Sequence, residues 1–233
     1  MLKRLGDDLT EHDRPENQSN YQQFHKEKLK DPIGLKTPVL RKISNNAYKD
    51  VKELEINELL FLCDGLQKSR KRYMSMFAVD WTSKAHRRLR KTDFALLEGW
   101  LKEYVDNWGA CDHLCCGPLG YLVAQNLALV PRTRKWTRSN NRWLRRAAAV
   151  SLIVPVKHGM PIKEVFRTAD ILLLDDDDMV QKGYGWLLKE ASKGYHHDVF
   201  AYVLKHRTVM PRTALRYAIE KYPPAKRKEA MAR

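Results

Sequence analysis

NRWLRRAAAVSLIV, residues 141–154, decides the fold class. Arg142, Arg145 and Arg146 fall three and four residues apart, on one side of a helix, while apolar residues fill the rest, so the segment reads as an amphipathic helix and not as a strand. Working outward, the same period covers 108–130 before it and 162–174 and 178–192 after it. Further helices are predicted over 56–66, 70–81, 93–106, 197–205 and 211–221. No run of alternating β-branched residues with a hairpin turn occurs. Breaks are expected at Asp64-Gly65, at Pro131, over 155–160, at Gly194 and at Met210-Pro211, and Gly117-Pro118 is expected to split the long central segment. In the acidic run Asp175 to Asp178, Asp178 or a neighbour is expected to cap the helix that follows, the run serving as caps and loop and not as a metal site.

Short connections between helices of this length favour antiparallel helical pairs. Two registers hint at stacking of such pairs. Trp108, Trp143 and Val180 each stand near a helix start, and Trp-Leu recurs at 100, 143 and 186. Both spacings fall near the roughly 35 to 47 residues of two-helix solenoid repeats, although only one of them can be the true period. The expectation is an all-α αα superhelix of five or six degenerate pairs with a concave basic face, a non-repetitive helical bundle being the alternative. It forms one domain over 1–233, with 1–20 and 224–233 loosely ordered.

The chain carries 43 Lys and Arg against 28 Asp and Glu, a formal net charge of +15 over 233 residues. Such a field says little about fold and much about partners, and nucleic acid is the first polyanion to consider, ahead of an anionic membrane surface. The charge is clustered. Residues 68–91 hold Lys68, Arg70, Lys71, Arg72, Lys84, Arg87, Arg88, Arg90 and Lys91 against Asp80 alone, and residues 131–150 hold Arg132, Arg134, Lys135, Arg138, Arg142, Arg145 and Arg146 with no acid. A third cluster occupies 205–233 with only Glu220 and Glu229. The missing acids in the middle cluster favour phosphate binding over an ordinary solvated surface. No stretch has the length of a membrane helix, and the first residues lack the apolar core of a signal peptide, so a cytoplasmic protein is expected, nucleoid-associated when bound to DNA. Cys63, Cys111, Cys115 and Cys116 sit in apolar runs, where reduced thiols act as small hydrophobes.

Gly-rich phosphate loops, nucleophile elbows and His-Glu-x-x-His are all missing. Cys111, His113, Cys115 and Cys116 crowd within about two helical turns but lack the second ligand pair of a structural zinc site, so neither metal nor cofactor is expected. What remains is WGACD, residues 108–112, which places the indole of Trp108 and the carboxylate of Asp112 as neighbours on one helix face. A carboxylate beside an aromatic wall suits a general base or an electrostatic stabiliser. A core tryptophan and an acid complementing the helix dipole is the plainer reading of the same spacing.

Four blocks in order, GLKTP (34–38) with Arg41, WGACD (108–112), WLRRAA (143–148) and KGYGWLLKE (182–190), resemble the AlkD-type DNA alkylation repair glycosylases, which are built from HEAT-like helical repeats. The resemblance spans most of the chain. It implies a monofunctional glycosylase that releases cationic N3- and N7-alkylated purines from double-stranded DNA without flipping the base, acting as a monomer with no obligate protein partner. It also implies Asp112 as catalytic carboxylate and Trp108 and Trp186 as aromatic walls. DNA contact is expected from Arg146, with Arg142, Arg145, Lys182, Lys71, Arg72, Arg41 and His25 as further candidates. The family's N-terminal tyrosine falls by spacing on Phe24 or His25, with Tyr21 a turn earlier, and Gly109 stands where the family commonly has an acid. Relatives of this fold that bind branched or damaged DNA without excision form the alternative.

Overall fold

The computed structural model describes residues 34–232, together with Leu9, Arg14 and Gln22. Tyr21, Phe24 and His25 lie outside the described residues. Among those described, every regular element is helical and no strand occurs. No single helix among them is long and apolar enough to cross a membrane. The chain divides into two compact units, Met1–Arg90 and Lys91–Arg233.

The first unit contains α1 (Thr37–Tyr48), α2 (Ile56–Lys68) and α3 (Arg72–Lys84). Pro38 stands in the first turn of α1, where a missing N–H costs nothing. A reciprocal pair of bonds between Glu55 and Glu58 caps α2. Asp64-Gly65, read as a break, lies inside α2, where a single helical glycine is tolerated at about 1 kcal/mol. Phe77 stacks on Trp81 at 6.1 Å, and the Trp81 indole donates to Ser44, tying α3 to α1.

The second unit contains α4 (Phe94–Tyr104), α5 (Trp108–Cys116), α6 (Pro118–Gln125), α7 (Val130–Arg134), α8 (Arg142–Val150), α9 (Ile153–Lys157), α10 (Ile162–Leu172), α11 (Asp178–Ala191), α12 (His196–His206), α13 (Arg212–Ala218) and α14 (Pro224–Met231). Gly117-Pro118 separates α5 from α6 as expected, the proline starting the second helix. Two expected breaks fall elsewhere. Pro131 stands in the first turn of α7, so the chain turns at Asn126 instead. Pro155 is the third residue of α9, again where no intrahelical N–H is needed, and the turn precedes it at Ser151 and Leu152.

The loose order expected from residue 224 onward is corrected over Pro224–Met231, which is helical. Ala230 is buried, and Arg207 and Arg212 donate to the Glu229 and Met231 carbonyls, satisfying the end of α14. α8 packs against α5, α10 and α11, and α11 packs closely on α13. That last approach depends on Gly185, where a Cβ would stand 2.7 Å from both the Ala214 carbonyl oxygen and the Tyr217 Cβ. Gly185→Ala is therefore expected to destabilise the protein by roughly 1–3 kcal/mol, the usual range for overpacking, read as a lower midpoint in denaturant with an unchanged slope.

Candidate active site

Asn107 starts the site. Its backbone is extended and its side-chain oxygen accepts from the Ala110 N–H at 3.0 Å, so the helix begins at Trp108 and Asp112 follows one turn later on the same face. Asn141 does the same for α8 by accepting from the Trp143 N–H at 2.9 Å, which fixes where Arg146 emerges. Arg146 is only 5% exposed, yet charged, and all three guanidinium nitrogens are used. Nε donates to Asp112 Oδ1 and Nη2 to Oδ2, both at 2.8 Å, while Nη1 donates to the Met179 carbonyl of α11. A bidentate fork of this kind fixes the carboxylate plane as well as its position.

Gly183 makes the room for it. A Cβ there would approach the Arg146 Cγ to 3.1 Å. Trp186, half-buried, follows Gly183 by three residues and so lies on the α11 face that meets Arg146. Trp108 is likewise half-buried. Burial pushes the Asp112 carboxyl above the ordinary aspartate value, and the bonds and charge of Arg146 act against that rise. Burial works against the Arg146 charge as well, but Asp112 outweighs it, and its pKa ends above the ordinary arginine value. The result is a carboxylate of 18% side-chain exposure, held in one orientation, with the half-buried Trp108 one helical turn before it on α5. Cys111 and Cys115 are buried, and burial pushes the half-buried Cys116 thiol up to about 12, which makes it a poor nucleophile. No cluster of His, Cys, Asp or Glu able to hold a metal ion occurs among the described residues.

The middle basic cluster needs a correction. Acids missing from its own stretch of sequence arrive from elsewhere in the fold. Arg132 pairs with Glu98, Arg134 with Glu164, Arg142 with Asp177 and Asp178, and Arg145 with Asp175. Lys182 pairs with Asp178. The helix cap expected from Asp178 or a neighbour is Asp177, which accepts from the Met179 and Val180 N–H groups. Lys135 and Arg138 remain exposed on this stretch, as do Arg41 and Lys71 in the first unit, where Arg72 is half-buried.

A structural consequence attaches to Arg145. Two hydrogen bonds from it engage Asp175, which raises its pKa, and the Asp175 side chain is largely buried. Arg145→Ala strands that carboxylate, and a stability loss of about 2–4 kcal/mol is expected, against within about 0.5 kcal/mol for the exposed Arg138→Ala, both read by chemical denaturation.

Sequence reasoning did not identify Asn107, Gly183 or Glu190. Asn107 carried the ordinary signal of a capping residue before an apolar run. Gly183 and Glu190 sit inside a quoted block but show their purpose only against Arg146 and Trp186.

A family model described as DNA alkylation repair enzyme matches residues 5–222. Among solved structures, one titled "Predicted DNA alkylation repair enzyme from Enterococcus faecalis" is similar with a TM-score of 0.79 and 17% sequence identity, over 91% of this chain and 98% of that one. At that identity the likeness shows a shared fold. No curated protein matches the chain.

Proposed function

The chain belongs to the DNA alkylation repair enzyme family, and from that premise we propose that it is a monofunctional glycosylase that hydrolyses the N-glycosidic bond of cationic N3- and N7-alkylated purines in double-stranded DNA. The observation that carries this reading is the Asp112 carboxylate, held by both oxygens on Arg146 and one helical turn from the Trp108 indole.

An alkylated purine with a positive charge is already a good leaving group, so no strong general acid is required. The difficulty lies in the sugar, which becomes oxocarbenium-like as the bond to nitrogen breaks. A carboxylate fixed near that sugar stabilises the growing positive charge without having to reorganise, commonly the largest single contribution to such catalysis. Water then adds to the anomeric carbon, loses its proton, and leaves an abasic sugar and a neutral free base. Trp108 and Trp186 add cation–π attraction of roughly 0.5–2 kcal/mol each for a cationic nucleotide. Arg146 acts in this scheme by orienting Asp112. Contacts to phosphate fall to exposed cations, with Arg41, Lys71, Lys135 and Arg138 the first candidates, and the paired Arg142, Arg145 and Lys182 after them. A single domain of HEAT-like repeats, a monomeric state and excision without extrusion of the base go with this reading.

A non-catalytic binder of branched or damaged DNA is the second reading. It gains from the same fork, because a carboxylate bonded through both oxygens is also what a purely structural ion pair looks like. Duplex DNA methylated at guanine N7 separates the two. Release of free 7-methylguanine, with abasic sites in equal number, is expected of a glycosylase. Tight binding of that DNA or of a four-way junction with no base released would establish the binder instead.

A further inference from the structure

On α11 the indole N–H of Trp186 donates to Glu190 Oε1 at 3.3 Å, one turn further along the helix. Glu190 is 8% exposed, and its second oxygen is bound by Lys193 at 2.7 Å and by Lys157 of α9 at 3.1 Å. Burial disfavours its charge, yet the two lysines hold its carboxyl below the ordinary glutamate value, so the acceptor is an ionised carboxylate.

The same arrangement occurs a second time in this unit. The Trp136 indole donates to Glu98 Oε1 at 2.7 Å, and Arg132 and Lys102 sit on Glu98 Oε2 at 2.7 and 3.4 Å. There the anchored ring is 4% exposed and stacked on Phe94, so the anchor serves the core. At Trp186 the anchored residue is only half-buried and stands one turn past the glycine against Arg146, so this anchor holds an indole that is not sealed in the core.

An indole N–H bonded to a charged acceptor has its ring plane fixed and its electrons displaced into the ring. Both effects matter to a cation lying against that face, because the attraction depends on ring orientation and on the negative charge of the π surface. We propose that Glu190 is a positioning and specificity-determining residue, which sets the plane and the electron density of the Trp186 indole so that it favours a cationic purine nucleotide over a neutral one. The inference rests on the reading of Trp186 as a wall of the site.

The test uses the full chain in five forms: wild type, Glu190→Gln, Glu190→Ala, Trp186→Phe and the double variant Trp186→Phe/Glu190→Gln. Single-turnover release of 7-methylguanine from a duplex is measured for each, with affinity for unmodified duplex alongside. The indole ¹H–¹⁵N resonance of Trp186, identified by its loss in Trp186→Phe, reports the hydrogen bond directly. Glu190→Gln keeps an acceptor but removes its charge, so the resonance moves upfield and the excision rate falls roughly three- to tenfold, the part of a cation–π contact that charge supplies, while affinity for unmodified duplex holds or rises slightly. Glu190→Ala falls further. In the Trp186→Phe background Glu190→Gln has no additional effect, because no indole N–H is left to hold.

Equal losses from Glu190→Gln with and without the indole overturn the proposal, since a general loss of packing acts in both backgrounds. An unshifted resonance with undiminished excision overturns it too. Full excision by Trp186→Phe removes the premise about Trp186 itself, and the proposal falls with it.

Discussion

Arg146→Gln is expected to lose about 3–5 kcal/mol of stability and most of any excision activity together, because removing one partner of a buried ion pair leaves the other uncompensated. Three donor bonds disappear at once, two to Asp112 and one to the Met179 carbonyl, so α5, α8 and α11 all lose a shared tie. The signature that separates this from ordinary destabilisation is its pH dependence. Burial alone then acts on Asp112, without the cation that opposed it, so its pKa moves further above the ordinary aspartate value. A folded-state value above the unfolded one means that the ionised carboxylate works against folding at neutral pH. Stability from this group is present at low pH and is lost as pH rises through the folded value. The variant should therefore recover part of its lost stability as pH is lowered, and the acid limb of its residual excision should lie at higher pH than in the wild type. Thermal midpoints and single-turnover rates across a pH series check both. A uniform stability deficit at every pH would show that Arg146 acts by packing and not through Asp112.

Much of this was legible in sequence because helical periodicity is a local property. The spacing of apolar residues found α2 to α6, α8 and α10 to α13 to within a few residues, and Gly117-Pro118 marked the end of α5. Two of the misplaced breaks share a cause. Proline was read as a breaker at 131 and 155, but both residues occupy first turns, where proline is welcome. Apolar periodicity does not predict helices over 37–48 or 224–231, because Thr37–Tyr48 and Pro224–Met231 are rich in polar and charged residues and bury few side chains each.

The electrostatics illustrate the same boundary between local and distant information. Arg132 to Arg146 looked uncompensated because their acids stand about 30 to 36 residues away. Asp112 was singled out by its distance from Trp108, a helical neighbour. Its partner Arg146 and the glycine that admits Arg146 belong to two other helices, and Glu190 becomes meaningful only once the Trp186 indole is seen to point at it. The block KGYGWLLKE thus carries three separate features: Gly183 against the arginine, Gly185 against α13, and Trp186 bonded to Glu190.

Asp112→Asn is the second large effect. Asparagine matches the shape of aspartate and keeps one acceptor for the Arg146 fork, but it carries no charge to stabilise a cationic sugar. Removing one preorganised electrostatic group of this kind commonly lowers the rate by roughly 10²–10³-fold. DNA affinity should hold or rise slightly, since the protein loses a negative charge, and this separates a chemical defect from a binding defect. Partial loss of stability accompanies the change, because Arg146 keeps its charge while its buried partner does not, so rates are compared well below the variant's thermal midpoint.

Single-turnover release of 7-methylguanine from methylated duplex DNA, followed for wild type and Asp112→Asn at saturating protein, is the decisive comparison. Release by the wild type with a hundredfold or greater loss in the variant, roughly the lower bound for such a group, is the expected outcome. Release at the same rate by both proteins would show that the carboxylate held by Arg146 takes no part in the chemistry.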